Sequence, residues 1–417
     1  MFKAFRYRLK PTEVQAESLR QVGGGCRWLW NHCLYLNKQE YEANKKFIFK
    51  NAMVASIPTL KKQYPWLGDL PSQALQQRVW DLDTAMKRCF RSGFGFPHFK
   101  RKDDRNDTFR VSQTNGHIKM TRDQIKIPKI GWIKWKRHRP IEGKLMSITV
   151  KQEGEHWYVV CLCRTGESPV LTDCAEEDIV GIDVGLKTFV VTSDGEVFEA
   201  GKPNLRRLKK AQRKLSRIDF LNKKNGIKKS NRRKVAKKKL VKLHAHIRNQ
   251  RYDFHHKSSA AIAKQYTFAG MEDLNIKGMM KNHCLADKIG QQGWHSYRSM
   301  CEYKLTNKGG KVLLVDRFYP SSKTCSSCGH KQKMPLNVRV FECESCGVVL
   351  DRDLNAGINL KLWAIREINR AGIVRIYARG DTSDGQADMY ACSYVSLNRE
   401  NVEDTQVFDA HGSSARG

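Results

Sequence analysis

The chain has 417 residues and a mass of 48.0 kDa, and its 76 Lys plus Arg against 42 Asp plus Glu leave a formal charge of +34. So large a charge would repel itself in a compact fold unless a polyanion neutralised it, which favours nucleic acid as the partner. No apolar run approaches the roughly 20 residues that a membrane-spanning helix needs. The amino terminus is too charged for a secretory signal, so we expect a soluble, intracellular protein of two or three domains.

The first part of the chain changes from one strand to helices and back to strands. Residues 2–9 alternate apolar and basic side chains, which predicts a strand, and Pro11 with Thr12 then opens a helical pattern. Residues 12–92 are predicted to be mainly helical, and short β-branched and aromatic runs recur over residues 108–162. We expect a small β-barrel or sheet, to which the first strand pairs.

The strongest concentration of charge lies in the middle of the chain. Residues 202–251 hold 21 Lys plus Arg and one acid, Asp219. Leucines recur there at helical spacing, which predicts two basic helices separated near Asn225 and Gly226. A solvated surface hairpin is the alternative, but so dense a cationic pair favours contact with a phosphate backbone.

Four of the 13 cysteines form two close pairs, which is typical of a zinc ribbon. Cys325 and Cys328 precede Cys343 and Cys346 by 14 intervening residues, and a glycine follows each pair. Four thiolates complete a tetrahedral site with no open position, so the ion would be structural. Iron on the same thiolates and a redox dithiol are the alternatives.

Acidic residues interrupt or end several apolar runs. Asp183 lies inside the run that begins at Gly181, and taken alone it could equally cap the turn at Gly185. Glu272 and Asp273 end another run, and Asp351 and Asp353 begin a helix that is rich in small residues. Three acids on separate elements can converge to bind two Mg²⁺ or Mn²⁺ ions for phosphodiester hydrolysis.

The order of these motifs resembles the TnpB family, the insertion-sequence-encoded relatives of type V CRISPR effectors. The resemblance covers roughly residues 1–372. The matching segments are FRYRLKPTEVQ from Phe5, YPWLGDLPSQALQQ from Tyr64, FGFPHFK from Phe94, GIDVGLKTF from Gly181, MEDLNIKGM from Met271, DRFYPSSKTCSSCG from Asp316 and DRDLNAGINL from Asp351.

The resemblance implies an α/β multidomain fold. A RuvC-like nuclease domain of the RNase H fold is expected at residues 178–320 and 348–375, with the zinc ribbon inserted at 321–347. A wedge-like β-barrel is expected at residues 1–10 and 96–177, interrupted by a helical recognition lobe at 11–95. Residues 376–417 match no motif, and their polar, acidic composition predicts a disordered tail.

By the same resemblance, the catalytic carboxylates are Asp183, Glu272 and Asp353, which would bind Mg²⁺ or Mn²⁺. Asp353 is preferred over Asp351 because the family's third acid stands two residues before the Asn of an Asn-Ala pair. Glu272 is preferred over Asp273 because it directly follows the apolar strand.

The implied function is that of an RNA-guided DNA endonuclease encoded by an insertion sequence. Its partners would be a guide RNA from the transposon end, target DNA beside a short transposon-associated motif, and a transposase acting in trans. We expect it in a prokaryotic cytoplasm, associated with the nucleoid and not with membranes. The alternatives are a guide-dependent DNA-binding regulator or transposition accessory that does not cut, and an unguided RNase H or junction-resolving enzyme.

Aromatic and basic side chains near these motifs are further candidates for nucleic-acid contact. Trp132, Trp135, Phe318 and Tyr319 stand among basic residues and either stack on bases or belong to the core. Lys323 and Arg352 are candidates for phosphate contact.

Overall fold

The computed structural model describes residues 1–92, 95–102, 108–113, 116–167, 169–171, 173–201, 205–227, 230–335 and 337–377. The predicted tail begins two residues too early, because Ile376 and Tyr377 belong to a short strand. The rest of that tail, 378–417, lies outside the described residues. Within the described part of the chain, no helix has the length and apolar character needed to cross a bilayer.

The amino-terminal strand is built into a seven-stranded antiparallel sheet. Strand β1 (Phe2–Lys10) precedes the strands β2 (Phe109–Ser112), β3 (Lys119–Met120), β4 (Gln124–Ile127), β5 (Gly131–Lys136), β6 (Lys144–Glu153) and β7 (His156–Arg164). The order is β2-β6-β7-β1-β5-β4-β3, so β1 pairs with both β5 and β7 and the expected pairing is confirmed. Its alternation places Phe5, Tyr7 and Leu9 in the core while the basic residues between them face outward.

Four helices fill the interval between β1 and β2. They are α1 (Glu13–Asn44), α2 (Lys50–Ala55), α3 (Ile57–Gln63) and α4 (Ser72–Ser92). Helix α1 begins at Thr12 because the Thr12 hydroxyl accepts the N–H of Gln15 while the Gln15 side chain accepts the N–H of Thr12. Their apolar faces join the apolar face of the sheet in one continuous core.

A second, five-stranded sheet follows in the chain. Its strands are β9 (Ile179–Val184), β10 (Val190–Thr192), β11 (Val197–Phe198), β12 (Phe268–Glu272) and β13 (Lys311–Val315), after a short β8 (Asp173–Ala175). The order is β11-β10-β9-β12-β13. Strands β9, β10 and β11 form an antiparallel meander, whereas β12 runs parallel to both β9 and β13.

The two basic helices lie in the connection between β11 and β12. Helix α5 (Leu205–Lys224) and helix α6 (Asn231–Gln265) are separate, which confirms the predicted break, and α6 runs well beyond the predicted end of the segment. Asp219 of α5 and Arg233 of α6 form an ion pair at 2.5 Å. The turn between β6 and β7 also contacts α6, where Glu155 pairs with Lys238 and Lys242.

The remaining elements complete the second half. Helices α7 (Ile276–Met279), α8 (Ala286–Gln292) and α9 (Trp294–Thr306) connect β12 to β13, and a hairpin of β14 (Val340–Glu342) and β15 (Val349–Asp351) leads into helix α10 (Arg352–Ala371). Strand β16 (Arg375–Tyr377) then pairs in parallel with β8.

Helix α10 lies against the five-stranded sheet at backbone contact distance. A Cβ atom added to Gly181 of β9 would lie 1.8 Å from the carbonyl oxygen of Gly357, and one added to Gly270 of β12 would lie 2.4 Å from that of Leu360. No side chain fits at either point. The small residues of α10 and of the sheet therefore set the distance between the helix and the strands. The sequence had indicated small residues in this helix.

We expect Gly181→Ala to destabilise the part of the chain that contains the five-stranded sheet, because the new methyl group meets backbone atoms that cannot rotate away. The loss should be about 3 kcal/mol in the free energy of unfolding, measured as a lower urea midpoint for this part of the protein. Gly68→Ala is the matched control, since nothing lies within 4 Å of a Cβ added there. Equal midpoints for the two variants would contradict the close contact.

Candidate active site and metal centre

The three predicted carboxylates converge at one edge of the five-stranded sheet. Asp183 is the fifth residue of β9 and Glu272 is the last of β12. Ile182 and Met271 are partners in the parallel pair, so the acids that follow them lie side by side where both strands end. Asp353 comes from the first turn of α10, which packs on the same strands. Elements far apart in sequence thus deliver three acids to one place.

The electrostatics of this site centre on Asp183. Burial raises the pKa of Asp183 well above its usual value, and the charges of Glu272 and Asp353 raise it further. The nearby Arg352 and the backbone N–H of Val184 act in the opposite direction without cancelling the shift. Carboxylates held this close repel one another unless a proton or a cation neutralises them.

The residue types suit a hard divalent cation, because Mg²⁺ and Mn²⁺ prefer carboxylate oxygens, and Asp183, Glu272 and Asp353 offer them from rigid elements. Within the described residues the oxygens of these three acids do not all lie within 4.8 Å of one another, as the cysteine sulfurs of the ribbon do, so the three acids together would not hold a single ion in this conformation. Within the described chain, Asp183 has no ion pair that would occupy its oxygens. The repulsion that raises its pKa is therefore the same interaction that a bound cation would relieve.

Two contacts that the sequence did not predict orient the other carboxylates. The Ser321 hydroxyl donates to Oε1 of Glu272 at 2.5 Å, and Arg339 reaches both oxygens of Asp353 at 3.4 Å. Ser321 is buried, whereas the Arg339 side chain is half exposed. Both residues lie around the cysteine motif and have no local periodicity or spacing that relates them to the acids.

The near-miss acids have other partners. Asp351 is the N-cap of α10, and its side chain accepts the N–H groups of Asp353 and Leu354 at 2.9 and 3.2 Å. Asp273 pairs with Arg317 at 3.0 Å and with Arg298 at 3.2 Å. The hydrogen bond from the Arg317 guanidinium, with that from Arg298, lowers the pKa of the Asp273 carboxyl.

Helix α10 also fixes the segment that carries Ser321. The Asn359 amide donates to the carbonyl oxygens of Ser321 and Thr324 at 2.8 and 2.7 Å, and the Asn355 amide donates to Thr324 at 2.8 Å. Both asparagines are buried. Arg352 is buried too and donates to the carbonyl oxygens of Pro335 and Val338, so it supports the backbone and does not face solvent as a phosphate ligand would.

The four predicted ligand cysteines form one cluster. Their sulfur atoms all lie within 4.8 Å of one another, with Cys325 and Cys346 at 3.7 Å and Cys328 and Cys343 at 3.6 Å. A tetrahedral zinc ion with Zn–S bonds of about 2.3 Å has sulfur–sulfur edges of about 3.8 Å, so the cluster fits this ion. The N–H of Cys346 lowers the pKa of the Cys343 thiol to about 6, which favours the thiolate that binds metal. Against the lowering effect of the Val348 N–H, hydrogen bonds with the other three sulfurs raise the pKa of the Cys346 thiol to about 12, so that without a cation the cluster does not hold four thiolates.

The glycines after each cysteine pair turn the backbone around the site. Gly329 and Gly347 have φ values of 77° and 71°, a region that side chains disfavour. In each turn the glycine N–H donates to the carbonyl oxygen of the first cysteine of its pair. Behind the second pair, the buried Phe341 of β14 packs in a small core of its own with Met334.

The aromatic candidates separate into two groups. Trp135 is 5% exposed and belongs to the core of the seven-stranded sheet, and Tyr319 is half-buried with its hydroxyl donating to the carbonyl oxygen of Asn359 at 3.4 Å. Trp132 is 39% exposed and Phe318 is 87% exposed. Only the second pair therefore offers much ring surface to a ligand.

Three family profiles match the chain in order. They are described as "Helix-turn-helix domain" at residues 1–46, "Probable transposase" at 163–283 and "Cas12f1-like, TNB domain" at 294–360. The first name does not describe the structure. Residues 1–46 contain strand β1 followed by one helix, α1, which accounts for most of them. The third profile spans β13, the cysteine cluster and the start of α10.

Full-length relatives decide the family. The "Putative RNA-guided DNA endonuclease InsQ" of Escherichia coli (strain K12) is 32% identical over 379 residues, which cover 86% of this chain and 91% of the relative. A "Putative RNA-guided DNA endonuclease" of Streptomyces pristinaespiralis is 32% identical over 369 residues, which cover 86% and 88%. The chain belongs to the TnpB family.

The fold of this TnpB-family chain is also similar to that of a solved CRISPR effector. A chain of the cryo-EM structure of the Cas12f1-sgRNA-target DNA complex superposes with a TM-score of 0.54. The match covers 87% of this chain and 98% of that one at 14% identity, which supports a shared fold and no more.

We expect the purified protein to contain one zinc ion per chain, because the four thiolates form a closed site. Cys328→Ser should lower the zinc content measured by plasma mass spectrometry and lower the thermal unfolding midpoint, since metal binding contributes folding free energy. Cys284→Ser is the control, because Cys284 is exposed like Cys328 but lies outside the cluster. Undiminished zinc in Cys328→Ser would contradict the assignment.

Two substitutions to Asn should shift stability in opposite directions at pH 7. Because the folded pKa of Asp183 lies above the unfolded value of about 3.9, its ionisation destabilises the fold as pH rises above that value. Asp183→Asn should therefore raise the melting midpoint in buffer without added divalent cation, and this gain should vanish below about pH 4.

Asp273→Asn is the matched control, because the pKa of Asp273 is lowered in the folded protein. Its ionised form therefore stabilises the fold at pH values above the unfolded pKa, and this stabilisation is lost as the pH falls through the folded pKa. It should lower the midpoint at pH 7. A lower midpoint for both variants would show that carboxylate repulsion is not the dominant interaction at Asp183.

Proposed function

We propose that this chain is an RNA-guided DNA endonuclease of insertion-sequence origin that cuts with Asp183, Glu272 and Asp353. The observation that carries the proposal is the approach of these carboxylates at the edge of the five-stranded sheet, where burial and then the charges of Glu272 and Asp353 raise the pKa of Asp183. Its relatives at 32% identity bear the name RNA-guided DNA endonuclease. The intact trio favours cleavage over guided binding alone.

The proposed cofactor is Mg²⁺, which Mn²⁺ could replace. A pair of such ions activates a water molecule and stabilises the leaving oxygen in phosphodiester hydrolysis. Asp183, Glu272 and Asp353 would hold the ions. Ser321 fixes one oxygen of Glu272, and Arg339 pairs with Asp353.

The topology supports a RuvC-like nuclease domain of the RNase H fold. Three antiparallel strands are followed by two parallel ones, Asp183 and Glu272 lie at the ends of β9 and β12, and Asp353 lies at the start of α10, which packs across both strands. We assign residues 178–320 and 348–375 to this domain and the cysteine cluster at 321–347 to a structural zinc ribbon. The seven-stranded sheet would be the wedge-like domain, with the helices between β1 and β2 as the recognition lobe.

The basic helices supply the charge that a guide and its target require. One face of α5 presents Lys209, Arg213 and Arg217 along a shallow groove, together with Gln212 and Ser216. Residues three and four apart share a helix face, so these cations can follow a phosphate backbone. Base pairing with the guide would then select the sequence, and the protein would read a short flanking motif.

Two other functions can be separated from this one by experiment. A guide-dependent regulator, or an accessory to a transposase acting in trans, would bind guide and target tightly but leave DNA intact in Mg²⁺. An unguided RNase H or junction-resolving enzyme would cut without RNA. The test is to sequence the RNA that copurifies, to program the protein with a guide, and to assay a matching plasmid.

We expect Asp353→Ser to abolish guided cleavage, because it removes one metal-binding carboxylate, while guide RNA still copurifies. Asp351→Ser is the matched control at the same helix end, since serine is also a good N-cap and keeps α10 in place. It should retain cleavage within about threefold, which corresponds to less than about 1 kcal/mol. Loss of activity in Asp351→Ser with normal activity in Asp353→Ser would reverse the assignment.

A further inference from the structure

Phe318 occupies an unusual position beside the carboxylates. It lies three residues beyond the end of β13, whose last residue, Val315, is the register partner of Glu272. Its ring is 87% exposed. Isolated exposed rings are common on protein surfaces, so the position of this ring, beyond the strand end that pairs with Glu272, is what makes it a candidate for ligand contact.

The backbone around Phe318 is held in place. The N–H of Phe318 donates to Oδ1 of Asp316 at 2.9 Å, and the N–H of Tyr319 donates to the Asp316 carbonyl oxygen at 3.0 Å. These bonds form a tight turn with an Asp cap. The exposed ring is therefore presented by an ordered turn.

Contacts on both sides of Phe318 tie that turn to the strand end that carries Glu272. Before it, Arg317 donates to Asp273 at 3.0 Å, and after it, Ser321 donates to Glu272 at 2.5 Å. Tyr319 is anchored on α10 through its hydroxyl. The neighbours of Phe318 thus point toward the protein, and Phe318 alone in this turn presents its ring to solvent next to the carboxylates.

We infer that Phe318 is a nucleobase-binding residue that stacks on a base of the DNA strand at the carboxylate site. This rests on the proposed function and deepens it, because it names an unpaired strand as the substrate at the moment of cutting. A base can lie flat on an aromatic ring only when one of its faces is free of its own neighbours. Stacking is also tolerant of base identity, as an enzyme that takes its sequence from a guide requires.

A nucleobase fits this position better than a protein partner does. A docking surface for another protein needs a contiguous apolar patch of several side chains. This turn offers one exposed ring, and the two residues before it, Asp316 and Arg317, are charged. The chain's charge of +34 also attracts polyanions to its surface. The ring and the carboxylates would thus bind neighbouring positions of one DNA strand.

The first test uses fluorescence of 2-aminopurine, which is quenched when the base stacks. The complex of protein, guide RNA and target DNA is prepared with Asp183→Asn so that the DNA stays intact, and 2-aminopurine is placed at successive positions of each strand. We expect quenching at one or two adjacent positions, recovered emission in Phe318→Ala, and renewed quenching in Phe318→Trp. Unchanged emission in Phe318→Ala at every position would overturn the inference.

The second test measures single-turnover cleavage with active protein. Phe318→Ala should slow cleavage about tenfold, and Phe318→Trp should restore it, while Phe318→Leu should not, because leucine is apolar but has no ring face. Phe2→Ala is the matched control, since Phe2 is also strongly exposed, at 57%, but lies at the start of β1, away from the carboxylates and the basic helices. Full activity in Phe318→Leu, or an equal loss in Phe2→Ala, would refute stacking.

Further outcomes separate the failure of this inference from that of the proposed function. If light scattering shows that Phe318→Ala changes the oligomeric state, the ring binds a second copy of the chain and the inference is wrong. If guided cleavage occurs and Phe318→Ala leaves it unchanged, only the stacking role fails. If the native protein neither binds nor cuts a guide-matched target, both proposals fail together.

Discussion

The backbone contact between α10 and the five-stranded sheet is the constraint on which the site depends. Glycine at 181 and 270 lets the carbonyl oxygens of the helix approach the strands more closely than any side chain would allow. At that height, the first turn of α10 brings Asp353 near enough to Asp183 to raise its pKa. A helix displaced outward by one methyl group would carry the third carboxylate away from the other two.

The same helix joins the metal site of the ribbon to the carboxylates. Asp351 ends β15 of the cysteine hairpin and caps α10, so the ribbon continues directly into the helix that bears Asp353. On the other side, Asn355 and Asn359 hold the segment that begins with Ser321 and leads to the first cysteine pair. The four-cysteine cluster is therefore connected at both ends to the contacts that orient Glu272 and Asp353.

The sequence predicted the elements but not the contacts between them. An acid inside one apolar run indicated Asp183 and an acid at the end of another indicated Glu272, because a buried carboxylate is costly unless it is paired, protonated or bound to a cation. Choosing Asp353 over Asp351 needed the family resemblance, since both begin the same helix, and the N-cap bonds that distinguish them exist only in three dimensions. The sequence did not predict the contacts of Ser321 and Arg339, because Ser321 lies 49 residues from Glu272 and Arg339 lies 14 residues from Asp353 along the chain. Short-range patterns record secondary structure and caps, whereas pairings across that distance depend on packing.

Within the described residues, the protein has one region of unbalanced negative charge, at the carboxylates, and one of unbalanced positive charge, along the basic helices. At the carboxylate site, negative groups crowd together and raise the pKa of Asp183, while the basic helices carry many cations for very few acids. The acids available near α6 are already used, since Glu153 pairs with Arg6, Lys151 and Arg248. Divalent cations at the carboxylates and a phosphate backbone along the helices would neutralise both regions at once, which is the combination of ligands that the proposed metal-dependent nuclease requires.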